Sequence, residues 1–329
     1  MAASIYLRRV QKVGYSTLAV SLPRRWAAKV GLDKGSRIVM MELPDGALLL
    51  APEQHERQAS ERLKAVLELP EGVEVEVGRE VIALYEAGYD TIELAAPREV
   101  LDAVRKLIWK RLIGLEVTAE SEHSLTLEVV LDHSSLTFDT ILGRMSGLVE
   151  RSLGDLRAYV HKLDPKPLAN VVERDDELDK FYFLLVRQAS ICFRKPELFR
   201  RLGLSDSLEI LPLLYYGKTL ERMGDTLTQL AMYLLESSRP LDAPIVETME
   251  RAFSLAAGAF RSDDAALARE LALLYSNFFK GRRAASILGD VPLSLAGNFL
   301  GLCLDVLDSR VELEAVRRSL RGLRAAAGE

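Results

Sequence analysis

The chain of 329 residues is 49% hydrophobic and carries 43 basic against 48 acidic side chains, a formal charge of −5. That length suggests two or three domains with real cores. No apolar stretch reads as long and charge-free enough to span a bilayer, and the N-terminus lacks the apolar core of a signal peptide. Cys192 and Cys303 are the only cysteines; two distant thiols set in apolar sequence make neither a disulfide framework nor a zinc knuckle, and read as buried thiols of a cytoplasmic protein without membrane insertion.

Residues 1–52 read as a small basic β-domain. Ile5–Val13 leads as a strand into the turn Gly14-Tyr15-Ser16, and Thr17–Leu22 alternates apolar and polar residues as a half-buried strand does. Pro23 opens a short helix, Arg24–Val30, because its missing N–H costs nothing at a first helical position, and Gly31 is suited to end it. Leu32–Ser36 forms a second turn. Arg37–Met41 and Ala47–Leu50 then flank the turn Leu43–Gly46. Through residue 37 the basic residues are Arg8, Arg9, Lys12, Arg24, Arg25, Lys29, Lys34 and Arg37, against the single acid Asp33. Positive charge is thus segregated at one end of an acidic chain, an electrostatic footprint for a polyanion.

The residues Val13-Gly14, Ser16, Val20-Ser21-Leu22-Pro23, Trp26, Val30-Gly31-Leu32, Lys34-Gly35 and Ala47-Leu48-Leu49-Leu50 resemble the AbrB/SpoVT/MazE group of swapped-hairpin DNA-binding domains. The resemblance implies an intertwined homodimer, or a higher assembly, in which Arg8, Arg9, Lys12, Arg24 and Arg25 face the backbone of double-stranded DNA. The alternative is that these residues only solvate a dimerisation module.

Residues 53–133 form the next segment. Glu53–Ala65 is charged and helix-prone, a connector. Val73–Val77 alternates Val and Glu as a strand; Val81–Ala87 reads as a helix ended by Gly88, Asp90–Leu94 as a strand, Arg98–Ile113 as an amphipathic helix, and Leu115–Ala119 and Ser124–Leu131 as two further strands. The order β-α-β-α-β-β describes a small α+β sandwich, of the ferredoxin-like kind. The stretches Ala87–Leu94 and Leu112–Ser121 resemble segments lying between the other two parts in archaeal proteins. His123 and His133, beside polar turns, read as solvent-exposed.

Residues 134–329 lose strand signals and take up 3.6-residue periodicity. Helices are expected near 136–163, 167–194, 206–236, 243–260, 263–286 and 291–322, an all-α pair of three-helix bundles with weak internal repetition. Two acidic motifs stand out: Asp175-Asp176-Glu177-Leu178-Asp179 and Leu220-Glu221-Arg222-Met223-Gly224-Asp225. Residues four apart share a helical face, so Asp175 with Asp179, and Glu221 with Asp225, each present paired carboxylates. If the pairs face each other, repulsion is severe unless a cation lies between them, and such an oxygen-rich set suits iron, manganese, magnesium or calcium, with zinc also accommodated. The bland alternative is a solvated acidic face with Arg174 and Arg222 as ion-pair partners. Glu173 and Glu177 share the same spacing and are the fallback pair.

Both motifs resemble the PhoU family, whose three-helix bundles carry E/D-x-x-x-D signatures. The resemblance implies a phosphate-responsive regulator, a multinuclear iron or zinc site on some members, and Asp175, Asp179, Glu221 and Asp225 as the metal ligands here. In the second bundle the equivalent stretches, Asp263–Arg269 and Leu304–Arg310, depart from the signature, which speaks against a second site. No Gly-rich phosphate loop, Ser-x-x-Lys, Gly-x-Ser-x-Gly or His-Glu-x-x-His motif occurs, and the four histidines, at 55, 123, 133 and 161, are scattered. Catalysis is therefore not expected. The parts together suggest a DNA-binding transcriptional regulator of phosphate uptake; the alternative is an adaptor that dimerises through its hairpins and acts on a phosphate transporter's ATPase or a signalling protein by contact.

Overall fold

The structure, a computed structural model, describes residues 4–42, 46–53, 62–68, 74–132, 136–195, 198–237, 241–262, 264–280, 287 and 289–327. The chain divides into two compact units, Met1–Glu61 and Arg62–Glu329.

In the first unit, β1 (Gln11–Val13) and β2 (Thr17–Ala19) pair antiparallel, with Lys12 opposite Leu18. Gly14 at φ +69° gives the turn its left-handed corner. Helix α1 (Arg24–Lys29) follows Pro23, and β3 (Ile38–Glu42) pairs antiparallel with β4 (Leu48–Pro52). Strands β1 and β2 are shorter than the runs read as strands, and residues 43–45 of the expected turn lie outside the described residues. Pro52 is buried, and every other residue of this unit whose burial is described is exposed or half-buried. Leu7, Val10, Val13, Leu18, Val20, Met40 and Leu48 all stand exposed. Two separate two-stranded ribbons with no core of their own are marginal in water.

The second unit opens with the α+β layer: β5 (Lys64–Glu68), α2 (Glu74–Glu86), β6 (Thr91–Ala95), α3 (Arg98–Arg111), β7 (Leu115–Glu120) and β8 (Ser124–Val129). The sheet order is β5-β6-β8-β7, with β5 parallel to β6 and the remaining pairs antiparallel. The β-α-β-α-β-β order holds, with two corrections. Residues 74–77 are helical, not a strand, because Val77, Val81 and Tyr85 recur at four-residue spacing and are fully buried. The first strand is instead Lys64–Glu68, at the end of what read as a connector; Lys64 pairs with Glu93 on the adjacent strand β6 and Arg62 with Glu128 on β8. The element order and the mixed sheet also depart from the β-α-β-β-α-β ferredoxin-like pattern.

The helices follow close to expectation: α4 (Phe138–Lys162), α5 (Lys166–Arg194), α6 (Ile210–Ser237), α7 (Ala243–Ser262), α8 (Ala265–Phe279) and α9 (Val291–Ala327). Thr137 caps α4 by accepting from Thr140 N–H at 3.2 Å, and a 3-10 turn, Ser207–Glu209, leads into α6. Helices α4, α5 and α6 pack on one another, as do α7, α8 and α9, and the two sets share one hydrophobic core. By length and composition alone Val291–Ser319 is apolar enough to cross a membrane, which corrects the reading that no stretch qualifies. In this fold Phe299, Leu300, Cys303 and Val306 of that helix are core residues. A second core lies between the sheet and helices α2 and α3. Phe183 of α5 packs against it, and Leu131 packs against both.

Candidate functional site

The first unit carries charge on its surface. Arg8, Arg9, Lys12, Arg24 and Arg25 are all exposed, and none forms an ion pair with a described acid. Lys12 lies on β1 and Arg24 and Arg25 open α1, whose first turn holds no acid. The sole described ion pair of the unit joins Arg37 to Glu53. Repulsion among unscreened cations is relieved by an anionic partner, so this surface suits a polyanion.

In the second unit, α5 supplies Asp175 and Asp179 and α6 supplies Glu221 and Asp225. The helices approach closely because α6 has glycines where α5 has leucines. A β-carbon at Gly224 would lie 2.3 Å from Leu178 Cδ2 and 3.3 Å from Asp175 Oδ1, and one at Gly217 would lie 2.2 Å from Leu185 Cδ2. Burial together with repulsion from Asp179, Asp225 and Asp176 lifts the Asp175 carboxyl to about 7. Asp179 is raised to about 6, chiefly by burial, with Arg111 opposing and Glu221, Asp225 and Asp176 reinforcing the rise. Burial raises Glu221 as well, against the pull of Lys218. Glu221 Oε2 is buried with no hydrogen-bond partner among the described residues. The expected quartet is therefore gathered into one electrostatically coupled face.

The surroundings of that face were not read from the sequence. Arg111, at the end of α3, reaches Asp179 at 3.5 Å and Asp176 at 3.9 Å, and Lys110 contacts Asp176 at 2.7 Å. Lys218 donates to Glu221 Oε1 at 2.6 Å and lies 4.8 Å over the Tyr182 ring. Lys218 was legible, being three residues before Glu221 on one helix; Lys110 and Arg111 come from the α+β layer and carry no local signal. Of the cations expected beside the face, Arg174 turns to Asp155 at 2.6 Å and Ser152 at 3.0 Å on α4. Arg222 is exposed and acts on Glu221 and Asp305. The fallback pair Glu173 and Glu177 is exposed, so the helical phase that selects Asp175 and Asp179 holds.

Among the described residues no three His, Cys, Asp or Glu side chains converge in a geometry that would hold a metal ion. In the second bundle Asp264 caps α8, accepting from Ala266 N–H at 2.7 Å, and Asp263 lies outside the described residues. Asp305 and Asp308 line a groove of about 870 Å³ together with Arg222 and Asp225. His123 and His161 are exposed, while His55 and His133 lie outside the described residues.

In chain order, then, a unit with an exposed basic surface is followed by a helical bundle with a coupled acidic face. Residues 142–234, spanning most of α4 through α6 and all four acids of that face, match the PhoU domain. Residues 11–58 match the antidote-toxin recognition domain of MazE, a bacterial antitoxin. The chain thus joins a MazE/AbrB-type swapped-hairpin domain to a PhoU domain. The α+β layer and helices α7–α9 lie outside both matches. No curated protein and no solved structure matches the chain.

Proposed function

We propose that this chain is a cytoplasmic, non-enzymatic, DNA-binding regulator of phosphate homeostasis, acting on phosphate-uptake genes. The observation that carries the reading is the first unit. It exposes five basic residues unpaired with any described acid, and it leaves Leu7, Val10, Val13, Leu18, Val20, Met40 and Leu48 exposed. Both deficits are met at once by a hairpin-exchanged homodimer seated on duplex DNA. The dimer covers apolar residues such as Val20 and Leu49, and the DNA backbone neutralises Arg8, Arg9, Lys12, Arg24 and Arg25. The PhoU domain supports the phosphate-linked role, with its acidic face as the responsive element and a phosphate transporter's ATPase or a signalling protein as a second partner.

The test is retention of the full chain on duplex DNA across a salt series, alongside sedimentation. A dimer whose affinity falls steeply with salt supports the regulator. A dimer with no DNA affinity at low salt rejects it and leaves the contact-acting adaptor.

A further inference from the structure

The PhoU resemblance implies a metal between Asp175, Asp179, Glu221 and Asp225, and the side chains present do not fit one. Two of the four acids already hold protein cations, Asp179 with Arg111 at 3.5 Å and Glu221 with Lys218 at 2.6 Å. Asp176, beside them, holds Lys110 at 2.7 Å. A guanidinium placed against a carboxylate supplies hydrogen-bond donors as well as charge, which a cation site would have to displace. We infer that the acidic face of this PhoU domain is the docking surface of the chain's own α+β layer, with Arg111 standing where an inorganic cation would stand and Lys110 beside it on Asp176.

Independent contacts place the same layer on the same helix. Arg187, 1% exposed on α5, donates to the carbonyls of Tyr85 at 2.8 Å and Tyr89 at 2.6 Å and to Asp90 at 2.9 Å. Arg187 lies eight residues beyond Asp179, ~12 Å along the helix at 1.5 Å per residue. Helix α3 therefore meets α5 at its acidic face, and the end of α2 meets it two turns on. Lys218 is shared in the same way, since it acts on Glu86 of α2 as well as pairing with Glu221. Asp90 Oδ2 in turn accepts from Leu63 N–H at 3.0 Å, at the entry to β5. The layer thus grips the bundle through cations reaching in both directions. A divalent ion ligated by Asp179 would have to displace Arg111 from it. This inference goes beyond the regulator reading and stands whether or not the first unit binds DNA.

The experiment compares full-length wild type with the Lys110→Ala, Arg111→Ala double variant. Melting is measured in EDTA, in Zn²⁺ and in Mn²⁺, with element analysis of the same samples. The wild type should melt identically in all three and hold no stoichiometric metal. The double variant should melt lower in EDTA and recover with one of the metals, because its freed carboxylates can now ligate. Adding Asp179→Asn to it should abolish that recovery. A wild type that takes up stoichiometric metal and loses stability on chelation overturns the inference, as does a double variant that melts like the wild type throughout. Hydrogen exchange on the wild type needs no variant: amide protection over residues 105–112 should be the same in EDTA and in either metal, and a metal-dependent change there also overturns it.

Discussion

Gly224 of α6 sits directly against Leu178 of α5, so that a β-carbon added at Gly224 would stand 2.3 Å from Leu178 Cδ2. One heptad away on each antiparallel helix, Gly217 meets Leu185 at 2.2 Å in the same way. Leu178 and Leu185 are buried, so neither can swing into solvent to make room. These two contacts set the spacing at which the acids of α5 and α6 feel each other.

Replacing either glycine by alanine should therefore destabilise the bundle, although alanine is the better helix former. Overpacking costs typically ~1–3 kcal/mol, against a gain of ~1 kcal/mol in helix propensity. Gly143→Ala on α4, where nothing lies within 4 Å of the added carbon, should do the opposite. Urea midpoints should fall for Gly224→Ala and Gly217→Ala and rise for Gly143→Ala. Three shifts of one sign would mean that the α5–α6 spacing is not set by these glycines.

Arg187 should not tolerate loss of its fork. It serves two carbonyls and Asp90 from a fully buried site, stacked 5.0 Å over the Tyr85 ring. Removing one partner of a buried pair costs ~3–5 kcal/mol, and Arg187→Met should lose stability on that scale. Arg187→Lys keeps the charge but not the planar donor set, and should fall between the two. Chemical denaturation measures both; an Arg187→Lys variant as stable as wild type would reduce the contact to simple charge pairing.

The acidic face makes stability fall as pH rises. Asp175 and Asp179 have folded-state carboxyls raised to about 7 and about 6, so the folded chain holds protons that the unfolded chain releases at lower pH. Protonation of these groups favours folding. Their destabilising charge accordingly develops as pH climbs from the ordinary carboxylate range, near 4, and is complete above about 7. Asp175→Asn should raise the melting temperature at pH 8 by ~2 °C or more, a scale at which ~1 kcal/mol moves a domain of this size by ~2–4 °C. It should leave stability at pH 4 nearly unchanged. A variant equally shifted at both pH values would assign Asp175 to packing.

Arg8→Ala combined with Arg24→Ala should weaken duplex DNA binding without altering the melting temperature, since both side chains are exposed. Each lost phosphate contact lowers the log–log salt slope by about one, so the pair should lower it by about two. An unchanged slope in the folded double variant would remove these arginines from the DNA surface.

The sequence by itself determined the local elements. Helices α4 to α9 carry long periodic patterns and punctuation at Pro165, Pro196, Pro240 and Pro292, so their existence and order were legible. The spacing of Asp175 with Asp179, and of Glu221 with Asp225, is a one-helix property and was legible too. So was the segregation of positive charge before residue 38. Tertiary structure decided what local pattern leaves open. Val/Glu alternation near Val77 reads equally as strand or helix, and burial of Val77, Val81 and Tyr85 against α3 and the sheet selected helix. The short run Lys64–Glu68 became a strand only because β6 offered it a parallel edge. Above all, two of the cations beside the acidic face, Lys110 and Arg111, come from far upstream in another layer. A helix periodicity says which side of α5 the acids share, but only the packing of that layer on the bundle says what meets them.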